Sequence, residues 1–563
     1  SDRREKNMNI NPDPSTVPKP WLKHYDKHVP PSLEYPRESL PELFANSCAE
    51  NAHRVALQFL GRSLRYAQVE ASATAFAAYL TEQGINKGDR VFMMLPNSPH
   101  FVIAYYAILK LGAVAVPASP LDTPTEAAYK FSNSGARLVI FLDLLYDKVS
   151  QLLQQKPNTP AVAADVSEYL PFPKNLLFRL KKKSLGRPLP DFTRANLSTF
   201  AGVLRAYRKR AAETAQIAAS DTAVIIYTGG TTGVSKGVVL SHHAMVVNMT
   251  QARTWGDLSK DDVGLCVLPF FHGFGISIGL NLSLSSGGKM VLMPRWDEAQ
   301  AIRHFEKDSI TVFAGVPTMY NAILNHKNFA KLKKAKLRGC FVGAAPVPEA
   351  LKVAFKEKTG GTLIEGYGLT EAVTAKCANP LYGLKKEKSI GIPWPDTLMV
   401  IVDEKTGELL PPGKDGEIIL HSPDLMSGYW QNPEATKATI KDGWLYTGDI
   451  GRMDEDGYFS IVDRKKDLII TGGYNVYPAE IEDVLYQHPA VLEACVVGIR
   501  DDHLGEVGRA FVVAKPGMAV TAEDLKSFVS DRLIKYKIPR QFVFRDSLPR
   551  SPVGKILRKE LRG

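Results

Sequence analysis

A segment rich in glycine and threonine, YTGGTTGVSKG at residues 227–237, directly follows the apolar run Ala223–Tyr227. The segment has too little side-chain bulk to build a core, so it is either a flexible connection or a backbone surface that touches a ligand closely. A strand, a glycine-rich turn and then a helix over residues 241–255 aim backbone N–H groups at an anion. We therefore predict a phosphate-binding loop, with a plain turn as the alternative.

The spacing around the lysine of this loop differs from two common nucleotide-binding loops. Lys236 follows Ser235 and precedes Gly237, whereas an ATPase P-loop has glycine before its lysine and serine or threonine after it. The glycine spacing also differs from the GxGxxG of dinucleotide-binding folds. The candidate phosphate-binding residues are Thr228, Gly229, Gly230, Thr231, Thr232, Gly233 and Lys236.

The length and charge of the chain limit its class. At 563 residues it exceeds the size at which single hydrophobic cores stop growing, so we expect several subdomains. Its 70 Lys and Arg against 59 Asp and Glu leave a net charge of +11. Such an excess of positive charge favours anionic partners such as nucleotides or lipid headgroups without choosing between them. We expect no nucleic-acid partner.

The cysteines and the N-terminal residues indicate a compartment. The 5 cysteines are scattered, without a CxxC pair or a histidine cluster at ligand spacing, so neither a disulfide framework nor a zinc site is indicated. The first twenty residues lack the apolar core of a signal peptide. We predict a cytoplasmic protein, with the inner face of the membrane as a peripheral location.

The order of helical and strand-like patterns predicts an α/β fold. Residues 65–117, and again those after Asp221, alternate helix and strand patterns, which is typical of parallel sheets covered by helices. The apolar stretch Phe101–Pro117 contains Lys110 and ends in proline, so we read it as a buried helix leading into a strand. From about residue 389 short strands separated by turns predict a small β-barrel or meander, and after Lys466 an α+β unit follows.

The expected domains follow from these changes of pattern. We predict a large N-terminal domain of two α/β sheet subdomains plus a small β-barrel, and a small mobile α+β C-terminal domain. The expected bounds are an N-terminal extension at residues 1–40, a large domain at 41–465 with its barrel at about 389–463, and a C-terminal domain at 466–563.

A basic, apolar insert interrupts the α/β pattern at Leu170–Pro190. We expect a solvated loop there, within an irregular region at residues 156–220. The alternative is a membrane-surface patch, because four apolar residues accompany the charges. The basic residues are Lys174, Arg179, Lys181, Lys182, Lys183 and Arg187, and the apolar ones are Leu176, Leu177, Phe178 and Leu180.

Seven motifs in the same order resemble those of the AMP-forming adenylating enzymes, which include acyl-CoA synthetases, luciferases of the firefly type and peptide-synthetase adenylation domains. The resemblance runs from about Leu43 to the C-terminus. Besides YTGGTTGVSKG, the motifs are LPFFHGFG (268–275), VGAAP (342–346), EGYGLTE (365–371), YTGDIGRMDEDGYFSIVDRKKDLI (446–469), GGYNVYPAEIE (472–482) and PRSPVGKILRKEL (549–561).

The resemblance implies a two-step reaction. A carboxylate and ATP give an acyl adenylate and pyrophosphate, and a thiol then displaces AMP, so ATP, Mg2+ and CoA are the implied cofactors and cosubstrate. The implied catalytic residues are Lys555, His272, Thr370 and Glu371, with Glu371 also the Mg2+ ligand. The remaining nucleotide, acyl and CoA contacts are assigned by the resemblance to Gly343, Ala344, Ala345, Tyr367, Asp449, Arg464, Lys466 and Gly473.

Individual roles also follow from the resemblance. Tyr367 stacks on adenine, Asp449 takes the ribose hydroxyls, and Arg464 lies near ribose and phosphate. Lys466 occupies the hinge position about which the C-terminal domain rotates between the two steps. The segment around Gly473 then lines the pantetheine tunnel.

The resemblance also limits the class of acid that the protein activates, because one motif lacks an acidic residue. Adenylation domains for amino acids usually place an Asp in the corresponding motif to pair with the amine, whereas FFHGFG carries no acid, so the resemblance implies an uncharged acyl tail. The insert and the phrase SIGIPWPDT (389–397) resemble bacterial long-chain fatty acyl-CoA synthetases. Open alternatives are a fatty acyl-AMP ligase that loads a carrier protein, a medium-chain or aryl acid CoA ligase, an inactive nucleotide-binding regulator and an ATP-splitting kinase or motor. We expect a monomer or a homodimer.

Overall fold

The computed structural model describes residues 11–184, 188–192, 196–211, 214–228, 235–329, 336–343, 349–471, 474–501, 503–551 and 554–562. Within these ranges the strands are β1 (Val55–Phe59), β2 (Arg62–Arg65), β3 (Arg90–Met94), β4 (Val114–Pro117), β5 (Leu138–Leu142), β6 (Ala161–Ala164), β7 (Leu197–Thr199), β8 (Thr222–Thr228), β9 (Lys236–Ser241), β10 (Val263–Cys266), β11 (Lys289–Leu292), β12 (Val312–Gly315), β13 (Gly339–Val342), β14 (Thr362–Gly368), β15 (Ala375–Ala378), β16 (Ile392–Pro393), β17 (Leu398–Val402), β18 (Gly416–His421), β19 (Gly428–Tyr429), β20 (Ile440–Lys441), β21 (Trp444–Met453), β22 (Phe459–Arg464), β23 (Ile469–Thr471), β24 (Tyr474–Val476), β25 (Val491–Asp501), β26 (Gly505–Ala514) and β27 (Gln541–Phe544).

The helices connect and cover these strands. They are α1 (Leu40–Glu50), α2 (Tyr66–Glu82), α3 (Pro99–Lys110), α4 (Pro124–Ser134), α5 (Tyr146–Gln155), α6 (Lys174–Ser184), α7 (Phe200–Ala206), α8 (His242–Trp255), α9 (Ser283–Ser285), α10 (Glu298–Lys307), α11 (Pro317–Asn325), α12 (Glu349–Thr359), α13 (Pro433–Thr439), α14 (Pro478–Tyr486), α15 (Ala522–Ser530) and α16 (Arg558–Arg562). A π-helix at Gly275–Leu282 runs into α9, and short 3-10 helices include Thr370–Ala372.

Two large sheets form the first part of the fold. Among the described residues one sheet has eight strands in the order β19-β9-β8-β4-β3-β5-β6-β7, and the other has nine in the order β16-β15-β14-β13-β12-β10-β11-β1-β2. Strands β4, β3, β5, β6 and β7 are parallel, as are β1, β11, β10, β12, β13 and β14. The parallel strands with helices between them confirm the α/β fold class.

The apolar stretch Phe101–Pro117 forms the helix and strand that its sequence predicts. Helix α3 begins after Ser98, whose Oγ accepts a hydrogen bond from the Phe101 N–H, and every residue of α3 and β4 is buried. The charged ammonium of Lys110 is tolerated in this buried helix because it forms an ion pair with Glu70, whose Oε1 lies 2.6 Å away.

Two smaller sheets follow. Strands β17, β18, β20, β21 and β22 form an antiparallel five-stranded sheet where the turn-rich pattern after residue 389 predicts short strands. Closure of these strands into a barrel stays a prediction. Strands β23 to β27 form a second five-stranded sheet, on which α14 and α15 pack around Ile481, Leu485 and Leu525. The larger and the smaller α/β parts agree with the predicted fold class, while the division at residue 465 stays a prediction.

Two expectations about local structure are wrong. The insert at Leu170–Pro190 is not a loop, because α6 spans Lys174–Ser184. Its Lys182 ammonium lies 2.5 Å from carboxylate oxygens of both Asp143 and Asp165, which fixes one face of the helix to the protein. The region at 156–220, expected to be irregular, also contains β6, β7 and α7.

The glycine-rich turn does not lead directly into a helix either. Residues 236–241 form β9, which pairs antiparallel with β8 and with β19, so the turn connects two strands of a hairpin. The β-branched residues of KGVVLS are suited to this strand. Helix α8 begins only at His242, where the Ser241 side chain caps it.

No helix in the described ranges has both the length and the apolar character that crossing a bilayer requires.

Candidate active site

The β8–β9 hairpin carries the predicted phosphate loop. Thr228 lies at the end of β8, and its carbonyl oxygen accepts a hydrogen bond of 2.5 Å from the Ser235 hydroxyl. The ammonium of Lys236 lies 4.3 Å from the centre of the Tyr429 ring. The predicted residues Gly229, Gly230, Thr231, Thr232 and Gly233 lie outside the described residues. The hairpin therefore brings one cation, Lys236, to the end of the sheet.

Glu371 lies next to this hairpin, in the 3-10 helix that follows β14. Its Oε1 accepts a 2.7 Å hydrogen bond from the Tyr429 hydroxyl, and its carbonyl oxygen accepts one of 2.8 Å from the Met426 N–H. Tyr429 thus contacts both the carboxylate of Glu371 and the ammonium of Lys236. The half-buried Glu371 carboxylate is a hard oxygen donor in a fixed orientation, which fits a Mg2+ ion.

A second carboxylate is held by groups from two strands. Oδ2 of Asp449, on β21, accepts a 2.6 Å hydrogen bond from the Tyr367 hydroxyl on β14. Oδ1 of Asp449 lies 3.2 Å from Nε of Arg464 on β22. Burial and the Asp449 charge raise the pKa of the Tyr367 hydroxyl well above its ordinary value, so the phenol stays protonated and donates.

His272 belongs to a tightly packed loop before the π-helix. Its Nδ1 accepts a 3.2 Å hydrogen bond from the Phe274 N–H, so the proton of the neutral ring is on Nε2. Burial, and then the Lys555 charge, lower the pKa of His272 to about 4. The imidazole is therefore neutral near pH 7 and offers an Nε2–H donor.

The loop of His272 touches the turn of Glu371. A Cβ on Gly273 would lie 2.1 Å from the carbonyl oxygen of Val373, and Val373 itself has a φ of 64°. A Cβ on Gly343 would lie 3.4 Å from the Phe274 ring. The predicted residues Ala344 and Ala345 lie outside the described residues. The absence of a side chain at Gly273 is thus what allows the two loops to meet.

Lys555 reaches this site from the far end of the chain. Its backbone N–H donates to the Ser551 hydroxyl at 3.1 Å, and a Cβ on neighbouring Gly554 would lie 3.2 Å from Cγ2 of Val316. Burial lowers the pKa of the Lys555 ammonium to about 8, with repulsion by Arg464 as the next cause and attraction by Asp449 opposing it. The ammonium therefore lies in the same electrostatic environment as the two carboxylates.

Lys466 follows β22, with its side chain exposed and its backbone held from the last helix. Its carbonyl oxygen accepts a 3.2 Å hydrogen bond from the Arg562 guanidinium, which also lies 2.8 Å from Oδ1 of Asp467. Arg558, on the same helix α16, makes a bidentate ion pair with Glu482, with Nη1–Oε1 and Nη2–Oε2 distances of 2.7 and 2.8 Å. Gly473 lies outside the described residues.

Sequence reasoning missed Tyr429. It lies in SGYW, which contains no charged residue or motif that distinguishes it from an ordinary turn. Its role is visible only because β19 pairs with β9 and thereby places the tyrosine between Lys236 and Glu371.

Family models match both parts of the chain. The AMP-binding enzyme model matches residues 44–430, and the AMP-binding enzyme C-terminal domain model matches residues 480–555. The chain belongs to the AMP-binding enzyme family. The family membership confirms the resemblance drawn from the seven motifs.

Relatives share nearly the full length of this family member. A Bacillus subtilis protein named long-chain-fatty-acid–CoA ligase is 40% identical, covering 96% of this chain and 97% of its own. An Escherichia coli protein of the same name is 37% identical, covering 97% and 98%.

Solved structures of the family share the fold. ATP-bound MatB from Rhodopseudomonas palustris matches with a TM-score of 0.81 at 29% identity, covering 93% of this chain and 98% of its own. Apo MatB, with the same coverage and 30% identity, gives a TM-score of 0.72. The AMP-binding enzyme fold thus superimposes on both structures, with the higher TM-score for the ATP-bound one.

Proposed function

We propose that the protein joins a long-chain fatty acid to CoA through an acyl adenylate, with ATP consumed and AMP and pyrophosphate released. Family membership and the relatives named long-chain-fatty-acid–CoA ligase support this function. The observation that carries it is the position of Lys555, which comes from the C-terminal end of the chain and shares the site of Asp449, Glu371 and His272.

The side chains of the candidate active site have separate parts in adenylate formation. A carboxylate that approaches the α-phosphate is repelled by the phosphate oxygens, so positive charge at this point stabilises the transition state. The Lys555 ammonium supplies that charge, and the neutral His272 ring donates its Nε2–H to the fatty acid carboxylate. Asp449 accepts the ribose hydroxyls, and Arg464 lies beside it to contact ribose or phosphate.

The phosphate groups meet the hairpin and the turn after β14. Lys236 and Thr228 hold the outer phosphates, and the Thr370 hydroxyl donates to the α-phosphate. Glu371, oriented by Tyr429, would hold Mg2+. A bound Mg2+ ion neutralises phosphate charge and favours the departure of pyrophosphate.

The second step requires the site of Lys555 to open for a thiol. Lys466, whose side chain is exposed between β22 and β23, is the proposed pivot for rotation of the residues that follow. The segment that contains Gly473 would then line the path of CoA. A monomeric or homodimeric state stays a prediction.

The function is tested with purified protein, ATP, Mg2+, CoA and free acids of increasing chain length. We expect AMP, pyrophosphate and an acyl-CoA thioester, with long-chain acids giving the highest kcat/KM. Aryl preference would move the substrate class to that of a relative such as 4-coumarate–CoA ligase 5 of Oryza sativa, which is 34% identical. A preference for medium-chain acids would favour a medium-chain CoA ligase. Adenylate without CoA consumption would favour a carrier-protein ligase, and ADP as product would contradict the proposal.

We also propose peripheral contact with anionic membranes through α6. Leu176, Leu177 and Leu180 are 53%, 60% and 60% exposed on the helix face opposite Lys182, which faces inward to its two carboxylates. Lys174, Arg179 and Lys181 are exposed beside these leucines, so the surface combines apolar anchors with positive charge.

The membrane contact is tested by sedimentation with vesicles of phosphatidylcholine, with and without phosphatidylglycerol. We expect binding that requires the anionic lipid and is lost on changing Leu176, Leu177 and Leu180 to serine together. Leu409→Ser, at a residue 46% exposed elsewhere on the protein, is the control and should bind like the wild type. Equal sedimentation of the triple variant would contradict the contact.

A further inference from the structure

A buried ion pair lies behind the site. The side chains of Lys376 and Asp424 both have 0% exposure and pair with each other. The Lys376 ammonium also donates to Oε1 of Gln251 at 2.6 Å, while the Asp424 carboxylate accepts from Nδ2 of Asn248 at 3.1 Å and from the Ser422 hydroxyl at 2.5 Å. Both charges are thus fully enclosed and hydrogen-bonded.

Such a pair contributes little to folding. The cost of removing two charges from water roughly cancels their attraction, and apolar replacements of similar size are often as stable. The pair therefore calls for an explanation other than the stability of the core, and the segments that it joins supply one.

The two partners lie on the segments that hold Glu371. Lys376 is on β15, just after the turn of Glu371, and Asp424 precedes Met426 and Tyr429 in the segment that leads into β19. The same two segments are joined by the Met426 N–H to the Glu371 carbonyl oxygen and by the Tyr429 hydroxyl to the Glu371 carboxylate. The ion pair is a third connection between them, and it is the one with both partners fully buried.

We infer that the Lys376–Asp424 pair positions Glu371, by fixing the segment of Asp424 against the turn that carries the carboxylate. Lys376 and Asp424 are positioning residues, since the protein encloses both side chains completely. The inference rests on the proposed function, in which Glu371 holds Mg2+. Partners that orient a metal ligand typically change metal affinity or activity by on the order of 10-fold to 100-fold when they are removed.

The test compares ATP affinity with Mg2+ and in EDTA, measured by titration calorimetry. In Lys376→Met/Asp424→Asn we expect the ratio of the two affinities to fall by on the order of tenfold, because only the Mg2+-dependent part uses Glu371. The control is Lys110→Met/Glu70→Gln, which removes another largely buried pair, with Nζ and Oε1 2.6 Å apart, between helices α3 and α2. Its ratio should equal that of the wild type.

Thermal unfolding of each variant separates folding from positioning. If the double variant does not fold, Ser422→Ala, which removes one hydrogen bond to Asp424, should still lower the same ratio by a smaller factor. A ratio unchanged in every folded variant, or equal weakening with Mg2+ and with EDTA, would overturn the inference alone. A wild-type protein that binds no MgATP would overturn the proposed function and the inference with it.

Discussion

The hydroxyl of Tyr367 lies 2.6 Å from Oδ2 of Asp449 and donates a hydrogen bond to it across two different sheets. The bond orients the carboxylate proposed to take the ribose before any nucleotide arrives. It also joins β14, the strand that leads to the turn of Glu371, to the five-stranded sheet that contains Asp449 and Arg464.

Removal of this hydrogen bond should weaken ATP binding. A hydrogen bond to a charged group contributes about 1.5 kcal/mol or more, so we expect Tyr367→Phe to raise the KM for ATP about tenfold. Initial rates of AMP release at varied ATP measure it. Tyr458→Phe, which loses a 2.7 Å hydrogen bond to the Leu384 carbonyl oxygen, is the control and should keep the wild-type KM. An unchanged KM in Tyr367→Phe would contradict the role of the bond.

Lys555→Ala should abolish adenylate formation and leave thioester formation from supplied acyl adenylate largely intact, because the ammonium acts only in the first step. The two half-reactions are assayed separately, as pyrophosphate release and as acyl-CoA formation. Lys559→Ala, at an exposed residue of α16, should retain both. Equal loss of both half-reactions in Lys555→Ala would refute the assignment.

The lowered pKa of Lys555 predicts a fall in activity at alkaline pH. The ammonium form is present below a pKa of about 8 and is lost above it. We therefore expect kcat/KM for adenylation, which reports the free enzyme, to decrease as the pH rises through about 8. An exposed lysine would keep its charge to about pH 10. Arg464→Gln removes a repelling charge and should move the fall to higher pH; a profile flat through pH 9 would contradict this.

Lys466→Pro should slow thioester formation more than adenylation. Proline fixes φ near −65° and removes an N–H, so it restricts the backbone rotation that the second step requires. Single-turnover rates of each step measure the effect, and Lys466→Ala reports the contribution of the side chain alone. Full thioesterification by the proline variant would exclude a pivot at this residue.

Gly273→Ala should reduce adenylation by separating His272 from Glu371. The added methyl would lie 2.1 Å from the Val373 carbonyl oxygen, so one of the two loops must move. We expect overpacking to lower the free energy of unfolding by about 1–3 kcal/mol. We also expect the rate of AMP release by the folded variant to fall. Gly264→Ala, whose methyl would meet its nearest neighbours at 3.7 Å, is the control. Wild-type activity in Gly273→Ala would show that the contact is dispensable.

Local patterns were sufficient for the elements that depend on their own residues. The apolar stretch Phe101–Pro117, with Lys110 as its one charge, forms β4 and most of α3, and the α+β unit predicted after Lys466 contains α14 and α15. Motif order was sufficient for the family.

Elements that depend on distant residues were not predictable in this way. Helix α6 was expected to be a loop because its charges suggest solvation, yet Lys182 finds two carboxylates far away in the sequence. Strand β9 was not predicted: Lys236 and Gly237 were read as part of the glycine-rich segment and Ser241 as the start of the helix, since only pairing with β8 and β19 makes the segment a strand. Tyr429 acquires its contacts through the same pairing.

The Arg562 guanidinium, which donates to the Lys466 carbonyl oxygen and to Asp467, limits where the protein can be labelled. Affinity tags or fluorescent reporters fused after α16 would crowd the guanidinium that contacts the proposed pivot, and we expect them to alter turnover while leaving the fold intact.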